Sequence, residues 1–205
     1  LKFFIMKFIK DNKVIFFLLV ALILAGICLG AFGVNMITHG TKEFLVNYIN
    51  NFFAIISNDT LEPSFILKSS IKNNIFPIAI LFLSSITFLG IIFSPLYIVF
   101  RGFCLGFAIA FLTENFGDKG LLLTLSSLLP QNIIYLPAIV FACLISMEFS
   151  LKMLRHKKES FYDSKNRKIA SYLTCASIAL IFFFAACIVE AYITPVFIKA
   201  VHSYL

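Results

Sequence analysis

Apolar runs long enough to cross a lipid bilayer recur along this chain from one end to the other. A helix needs about 20 mostly apolar residues to span the ~30 Å hydrocarbon core of a bilayer, so such runs exclude an ordinary water-soluble domain. Hydrophobic residues make up 60% of the sequence, and the mean hydropathy is +0.98. The pattern predicts an all-α, polytopic helical bundle of five spans. These spans are predicted at residues 14–34, 75–93, 96–113, 133–151 and 172–194.

The stretch Leu121–Leu151 is the least regular of the apolar runs, and it follows a polar turn over residues 114–120. One straight helix over this stretch would be ~46 Å long at ~1.5 Å per residue, which is longer than the hydrocarbon core is thick. Proline removes a backbone donor and clashes with the turn before it. The sequence therefore predicts a half-helix over Leu121–Leu129, then a break at Pro130-Gln131-Asn132.

The positions of the basic residues predict the orientation of the spans. With the N-terminus inside, most of the 17 Lys and Arg residues lie on the inner side, many of them in a basic loop over residues 152–171 that is predicted to be cytoplasmic. This distribution follows the positive-inside rule. The loop over residues 35–74, the half-helix and the C-terminus then lie outside. If residues 116–130 cross fully as a sixth span, the C-terminus turns inward.

The outer loop over residues 35–74 contains a predicted amphipathic helix that begins at Thr41 and runs through Ser57. Its apolar residues recur at three- and four-residue spacing, and its polar residues lie largely on the opposite face. Such a helix could lie in the membrane interface, or it could present a surface to a partner protein. The predicted partner surface consists of Lys42, Glu43, Asn47, Asn50 and Asn51.

Three ionisable residues fall within predicted spans, where a charge is costly and marks a functional candidate. Arg101 and Glu148 are both expected near the inner face, where they could pair across two helices. Lys152 could instead pair with Glu148 along one helix.

The third residue, Glu190, is expected at the outer end of the last span, level with the proline break. It could accept hydrogen bonds from Gln131 or Asn132, or from backbone donors that Pro130 leaves open, and so hold the broken helix. It could instead help to line a small hydrated cavity for a substrate.

Sequence patterns that carry catalysis are missing from the chain: it contains no HExxH, no Gly-rich phosphate loop and no GxSxG. The five cysteines stand singly in apolar runs, where a thiol behaves as a small hydrophobe. The sequence therefore predicts no enzyme activity, no disulfide framework, no metal site and no cofactor. No soluble segment is large enough to form a basic face for nucleic acid.

Two small-residue stripes occur within the predicted spans. Gly26 and Gly30 form a GxxxG in the first span, and Gly102 and Gly106 form another in the third. A stripe of this kind lets a second helix approach closely. Packing within one chain is the favoured interpretation, and a homo-oligomer built on these stripes is the alternative.

Four short motifs occur in order along the chain: RGFCLGF at residues 101–107, LPQN at 129–132, FSLKMLR at 149–155 and EAYITP at 190–195. Together with the basic N-terminus and the polar outer loop, they resemble the stage II sporulation protein M family of endospore-forming bacteria. The resemblance covers nearly the whole chain.

The resemblance implies a role in engulfment of the forespore, in the septal and engulfing membrane of the mother cell of a Gram-positive bacterium. In that family the membrane protein works as a scaffold for two cell-wall-degrading partners, the D and P proteins of the same machinery. These partners remodel septal peptidoglycan outside the membrane. Besides a homo-oligomeric membrane module built on the two GxxxG stripes, the residues leave open a permease-like transporter subunit that uses the broken helix and Glu190. Transporters do contain interrupted helices, but this chain shows one break and no clear internal repeat.

Overall fold

The computed structural model describes residues 8–57, 63–155 and 162–196. These residues form helices joined by short turns, and no strand occurs among them. The last helix continues into a π-helical turn over Val189–Ile193. The helices are α1 (Lys13–Gly33), α2 (His39–Ser57), α3 (Pro63–Ile86), α4 (Gly90–Ser127), α5 (Leu129–Arg155) and α6 (Tyr162–Ile188).

Five segments of the described chain are long and apolar enough to cross a membrane, which confirms the all-α polytopic fold. They are Lys13–Met36, Ser64–Ile86, Gly90–Asp118, Leu129–Leu154 and Tyr172–Val196. The first, fourth and fifth of these segments agree with their predicted spans to within a few residues.

Helix α5 lies at the centre of the bundle, because every residue from Ala138 to Ser146 is buried. The outer helices bury one face each and expose large apolar side chains on the other. Phe17 on α1 and Ile181 on α6, for example, are 68% and 69% exposed. Exposed apolar surface of this extent suits contact with lipid rather than with water.

The turn between the second and third spans lies earlier than predicted, so the bounds 75–93 and 96–113 are wrong. Helix α3 already ends at Ile86, and Pro95 lies inside α4. The turn forms where it does because Gly90 packs directly on α5: a Cβ at this position would overlap the hydroxyl of Ser150. At its other end, α3 takes in residues 63–74, which had been predicted to belong to the outer loop.

The chain reverses direction at Gly117, inside α4, and forms a long antiparallel hairpin. We call it the α4–α5 hairpin: residues 90–116 form one arm, and the rest of α4 together with α5 forms the other. The backbone at Gly117 has φ +57°, in the region that favours glycine. After this turn, residues 118–127 run back along the preceding helix, and we call them the return segment. Gly120 lies so close to Leu112 that a Cβ would overlap its carbonyl oxygen. Far from the turn, the two arms of the hairpin are joined by a hydrogen bond in which Ser94 Oγ donates to Ser146 Oγ at 3.0 Å.

The return segment corresponds to the predicted half-helix, but the break lies before Pro130-Gln131-Asn132 rather than at it. The helices α4 and α5 meet at Leu128, and Pro130 lies in the first turn of α5, where its missing N–H is unneeded. The N–H of Leu128 still donates to the Thr124 carbonyl at 2.9 Å. The helix is therefore kinked at this point rather than fully interrupted.

The two GxxxG stripes pack against each other inside the chain. A Cβ on Gly30 would overlap the carbonyl oxygen of Phe103, and a Cβ on Gly106 would overlap that of Ile27. Gly102 likewise approaches the backbone of α1. Both stripes are therefore used in the contact between α1 and α4, which agrees with the favoured interpretation and leaves neither stripe for a homo-oligomer.

Helix α2 is the predicted amphipathic helix and begins two residues before Thr41, at His39. An ion pair fixes its start, because Lys42 Nζ lies 2.5 Å from Glu114 Oε1 near the end of the third span. Apart from this contact, the described part of α2 does not pack along any other helix.

The basic loop predicted over residues 152–171 is shorter, since α5 extends to Arg155 and α6 begins at Tyr162. Residues 156–161 lie outside the described part of the chain. At this end of the bundle the helices are joined by hydroxyl contacts: Ser85 Oγ lies 2.7 Å from Tyr172 Oη, and Ser150 Oγ donates to the Ser85 carbonyl at 2.9 Å.

Candidate functional site

Polar side chains from four helices meet in one layer within the membrane-spanning part of the bundle. Each of these helices contributes one or two residues, and we call the six together the polar layer. The polar layer consists of Ser70 and Asn74 on α3, Tyr97 and Arg101 on α4, Tyr135 on α5, and Glu190 on the π-helical turn.

Helical spacing explains how two of the helices supply pairs of residues. Ser70 and Asn74 are four residues apart, as are Tyr97 and Arg101, so each pair lies on one face of its helix. In both pairs the side chains also contact each other: Asn74 Nδ2 donates to Ser70 Oγ at 3.2 Å, and Arg101 Nε donates to Tyr97 Oη at 3.2 Å.

The guanidinium of Arg101 connects three helices. Its Nη2 donates to Asn74 Oδ1 at 2.9 Å and to the hydroxyl of Tyr135. The same group lies 4.8 Å from the centroid of the Tyr135 ring, within the range of a cation–π interaction. Arg101 is therefore held by two tyrosines and an amide rather than by a carboxylate.

Glu190 supplies the negative charge of the polar layer. Its Oε2 accepts hydrogen bonds from the Ser70 hydroxyl and from Asn74 Nδ2, the latter at 3.1 Å. The amide of Asn74 thus lies between the two charged groups, with its oxygen toward Arg101 and its nitrogen toward Glu190. The opposite orientation of the amide would place donor against donor and acceptor against acceptor.

The electrostatics of the polar layer follow from this arrangement. A single charge at the centre of a membrane helix costs about 2.5–3.5 kcal/mol on translocon-based scales. Arg101 and Glu190 carry opposite charges, so the layer as a whole is neutral, and the hydrogen bonds to both groups offset part of the penalty. Such an arrangement joins α3, α4, α5 and α6 at one depth of the bundle.

The π-helical turn places Glu190 within reach of α3. Turns of this kind are rare and occur frequently at functional sites. Pro195 lies two residues beyond the turn, and a proline ring clashes with the carbonyl four residues before it. The wider winding of Val189–Ile193 relieves such crowding, so the sequence Thr194-Pro195 explains the turn locally.

The predicted pairing of Arg101 with Glu148 near the inner face is wrong. Because α4 begins at Gly90, Arg101 lies ~16 Å along the helix axis from the start of its span, at middle depth. Glu148 instead pairs with Lys152 on its own helix, Nζ to Oε1 at 2.5 Å, which was the alternative.

The predicted contact between Glu190 and the amides at the break is also wrong. Asn132 Nδ2 donates to the Leu128 carbonyl at 2.7 Å, and Gln131 Oε1 is buried without a hydrogen-bond partner in the described chain. The reason is that α3 begins at Pro63, earlier than predicted, so its Ser70 and Asn74 occupy the position beside Glu190.

Sequence reasoning missed four members of the polar layer: Ser70, Asn74, Tyr97 and Tyr135. The first two fall within the predicted outer loop, and neither tyrosine stands out from the predicted span that contains it. The four-residue spacing of Ser70 and Asn74, repeated by Tyr97 and Arg101, was the signal that could have revealed them.

The residues assigned to the partner surface all lie on α2, but they differ in exposure. Lys42 is half-buried and forms the ion pair with Glu114. The remaining four are exposed on α2, alongside the exposed aromatic rings of Phe44 and Tyr48. These four exposed residues are Glu43, Asn47, Asn50 and Asn51.

In the comparison with protein families, the family described as Stage II sporulation protein M matches residues 17–195. All six residues of the polar layer, the kink at Leu128 and the outer helix α2 lie within the matched range. No curated protein and no solved structure matches the chain.

Proposed function

The chain belongs to the stage II sporulation protein M family and is a multi-pass sporulation membrane protein, and we propose that it acts as a non-enzymatic scaffold. In this proposal it recruits or positions peptidoglycan hydrolases, the D and P proteins of the engulfment machinery, at the septal and engulfing membrane of the mother cell. Its mechanism is docking: the spans hold the partners at the membrane while the partners cut the wall outside.

The observation that carries this proposal is the contrast between the spans and α2. The polar layer connects four helices through hydrogen bonds, and the glycine stripes fix α1 against α4. By contrast, α2 is attached through Lys42 and Glu114 and leaves its polar face exposed. A bundle of tightly packed spans that carries an exposed helix suits a docking protein.

The docking face in this proposal consists of the exposed residues of α2. Lys42 serves to orient the helix through Glu114, and the polar side chains contact the partner. Phe44 and Tyr48, which are 69% and 64% exposed, add aromatic surface of the type enriched at protein interfaces. The polar residues of the docking face are Glu43, Asn47, Asn50 and Asn51.

The test is co-purification from sporulating cells after treatment with a crosslinker that does not cross the membrane. Replacement of Asn47 and Asn51 by lysine should abolish recovery of the wall hydrolases while membrane insertion is unchanged. Asn35→Lys is the matched control, because Asn35 is an exposed asparagine outside α2. Equal hydrolase recovery from the α2 double variant and from the control would contradict the scaffold proposal.

A permease-like subunit is the second candidate, and the observation that favours it is the charged polar layer at membrane depth. Intramembrane ionisable residues often mark substrate or ion pathways. In this alternative Glu190 belongs to a substrate path, so Glu190→Gln should remove uptake of a substrate without loss of folding. Recovery of an ATPase in place of hydrolases in the crosslinking experiment would favour this candidate over the scaffold.

A further inference from the structure

A groove of about 360 Å³ lies beside the kink and is lined by both arms of the α4–α5 hairpin. Its walls come from the outer half of the third span, from the return segment and Leu128 that follows it, and from the first two turns of α5. Nearly all of its surface is apolar. The lining residues are Leu105, Ile109, Thr113, Leu121, Thr124, Leu125, Leu128, Leu129, Asn132, Ile133 and Leu136.

The three polar residues of this lining turn their hydrogen-bonding groups away from the groove. Thr113 Oγ1 donates to the Ile109 carbonyl at 2.8 Å, and Thr124 Oγ1 donates to that of Gly120 at 2.8 Å. Asn132 Nδ2 donates to the carbonyl four residues before it at 2.7 Å. Each of these side chains donates to the backbone carbonyl four residues before it, so the groove presents mainly hydrocarbon to an occupant.

The groove lies at membrane depth and opens onto the lipid-facing surface. From Gly90, at the inner end of the hairpin, Leu105 and Thr113 lie ~22 Å and ~34 Å along the helix axis. The groove therefore covers the outer third of a ~30 Å hydrocarbon core and the interface above it. Its rim is continuous with the exposed apolar belt, since Leu125 and Ile133 are 46% and 63% exposed.

We propose that this groove holds one acyl chain of a membrane phospholipid. Its volume corresponds to about a dozen water-sized groups, comparable with the methylenes of one acyl chain. Water itself would need two to four polar partners per molecule, and the lining offers almost none. A partner helix is roughly 10–12 Å wide with its side chains, so a volume of about 360 Å³ equals less than one turn of such a helix. The acyl chain fills the space beside the kink, where the return segment and the start of α5 would otherwise lack contacts.

The absence of tryptophan from the sequence allows a direct test with a single reporter residue. Leu129→Trp places the reporter in the groove, and Leu122→Trp places it on the return segment outside the groove. The two positions are matched, at 44% and 47% exposed. Each variant is reconstituted with phospholipid that carries brominated acyl chains, which quench tryptophan fluorescence, and is then extracted into detergent and washed.

The expected result is that Leu129→Trp stays quenched after the wash, whereas Leu122→Trp recovers the emission measured with unbrominated lipid. Adding Thr113→Phe, which fills the groove, should remove the retained quenching. Equal recovery of both reporters would overturn the proposal, because it would mean contact with surrounding lipid only. Retained quenching that survives the Thr113→Phe filler would overturn it as well.

A measurement on the unsubstituted protein keeps the test independent of how the variants fold. Native mass spectrometry of the washed protein should show one phospholipid retained per chain, and added phospholipid should restore this adduct after complete delipidation. A chain that retains no phospholipid and regains none would overturn the assignment of the groove. This result does not depend on the scaffold proposal, so the two can fail separately.

Discussion

Asn74 donates its amide hydrogen to Glu190 across two spans, Nδ2 to Oε2 at 3.1 Å, although the residues lie 116 positions apart in sequence. The oxygen of the same amide accepts a hydrogen bond from Arg101 at 2.9 Å. One uncharged side chain thereby connects the positive and the negative group of the polar layer. This relationship makes Asn74 the member whose loss should disturb the layer most.

Asn74→Leu should destabilise the protein by roughly 2–6 kcal/mol, because two charged groups each lose a hydrogen bond at membrane depth, at about 1–3 kcal/mol each. Thermal unfolding in detergent measures the change. The matched control is Asn115→Leu, since Asn115 Nδ2 donates to the Phe111 carbonyl on its own helix. If both asparagine variants unfold at the same temperature, Asn74 does not bridge the two charges.

Arg101 and Glu190 should be energetically coupled although they interact through Asn74. Glu190→Gln alone should lower stability by roughly 1–3 kcal/mol, because the partners of the carboxylate lose a charged acceptor. Combined with Arg101→Met, the losses should be non-additive by roughly 0.5–3 kcal/mol. A double-mutant cycle from unfolding in detergent measures this coupling. Additive losses would show that the two residues act independently.

Gly30→Ala should weaken the contact between α1 and α4 by roughly 1–3 kcal/mol, the usual effect of overpacking. The new methyl group would meet the backbone of Phe103, which cannot turn aside as a flexible side chain can. Gly40→Ala is the control, since nothing lies within 4 Å of a Cβ there. Unfolding in detergent should separate the two variants, and equal stability would argue against this close packing.

The ion pair between Lys42 and Glu114 should set the direction of α2 more than the stability of the protein. An exposed pair of this kind contributes about 0–1 kcal/mol. Lys42→Glu should therefore change the distance from a spin label on α2 to one on α4 with little change in unfolding temperature. The charge-swapped double variant, with Glu114→Lys added, should restore the distance. If Lys42→Glu leaves the distance as it was, another contact orients α2.

The number of spans and the amphipathic outer helix could be predicted from the sequence, because both depend on local periodicity. The position of the break was predicted less accurately from the sequence. A proline clashes with the carbonyl four residues before it, so Pro130 distorts the turn that precedes it, and the kink lies at Leu128. The polar turn over residues 114–120 was predicted, and Gly117 within it reverses the chain.

The polar layer was only partly predictable. Arg101 and Glu190 stood out because charges in apolar runs are rare. Asn74 did not, because residues 63–74 are polar enough to be typical of a loop and form part of α3 only in the packed bundle. Which residue faces Glu190 depends on how the helices are offset along their axes. That offset is set by tertiary packing, so no local pattern reveals it.

The central claim, that α2 presents a docking face to wall hydrolases, is tested most directly by a photo-crosslinking amino acid placed at Asn47. The control position is Ile181, which lies on the apolar outer face of α6. In sporulating cells, the residue at position 47 should capture the D or P protein of the engulfment machinery, and the residue at position 181 should capture neither. Failure of position 47 to capture either hydrolase, in a protein that is inserted and folded, would contradict the account.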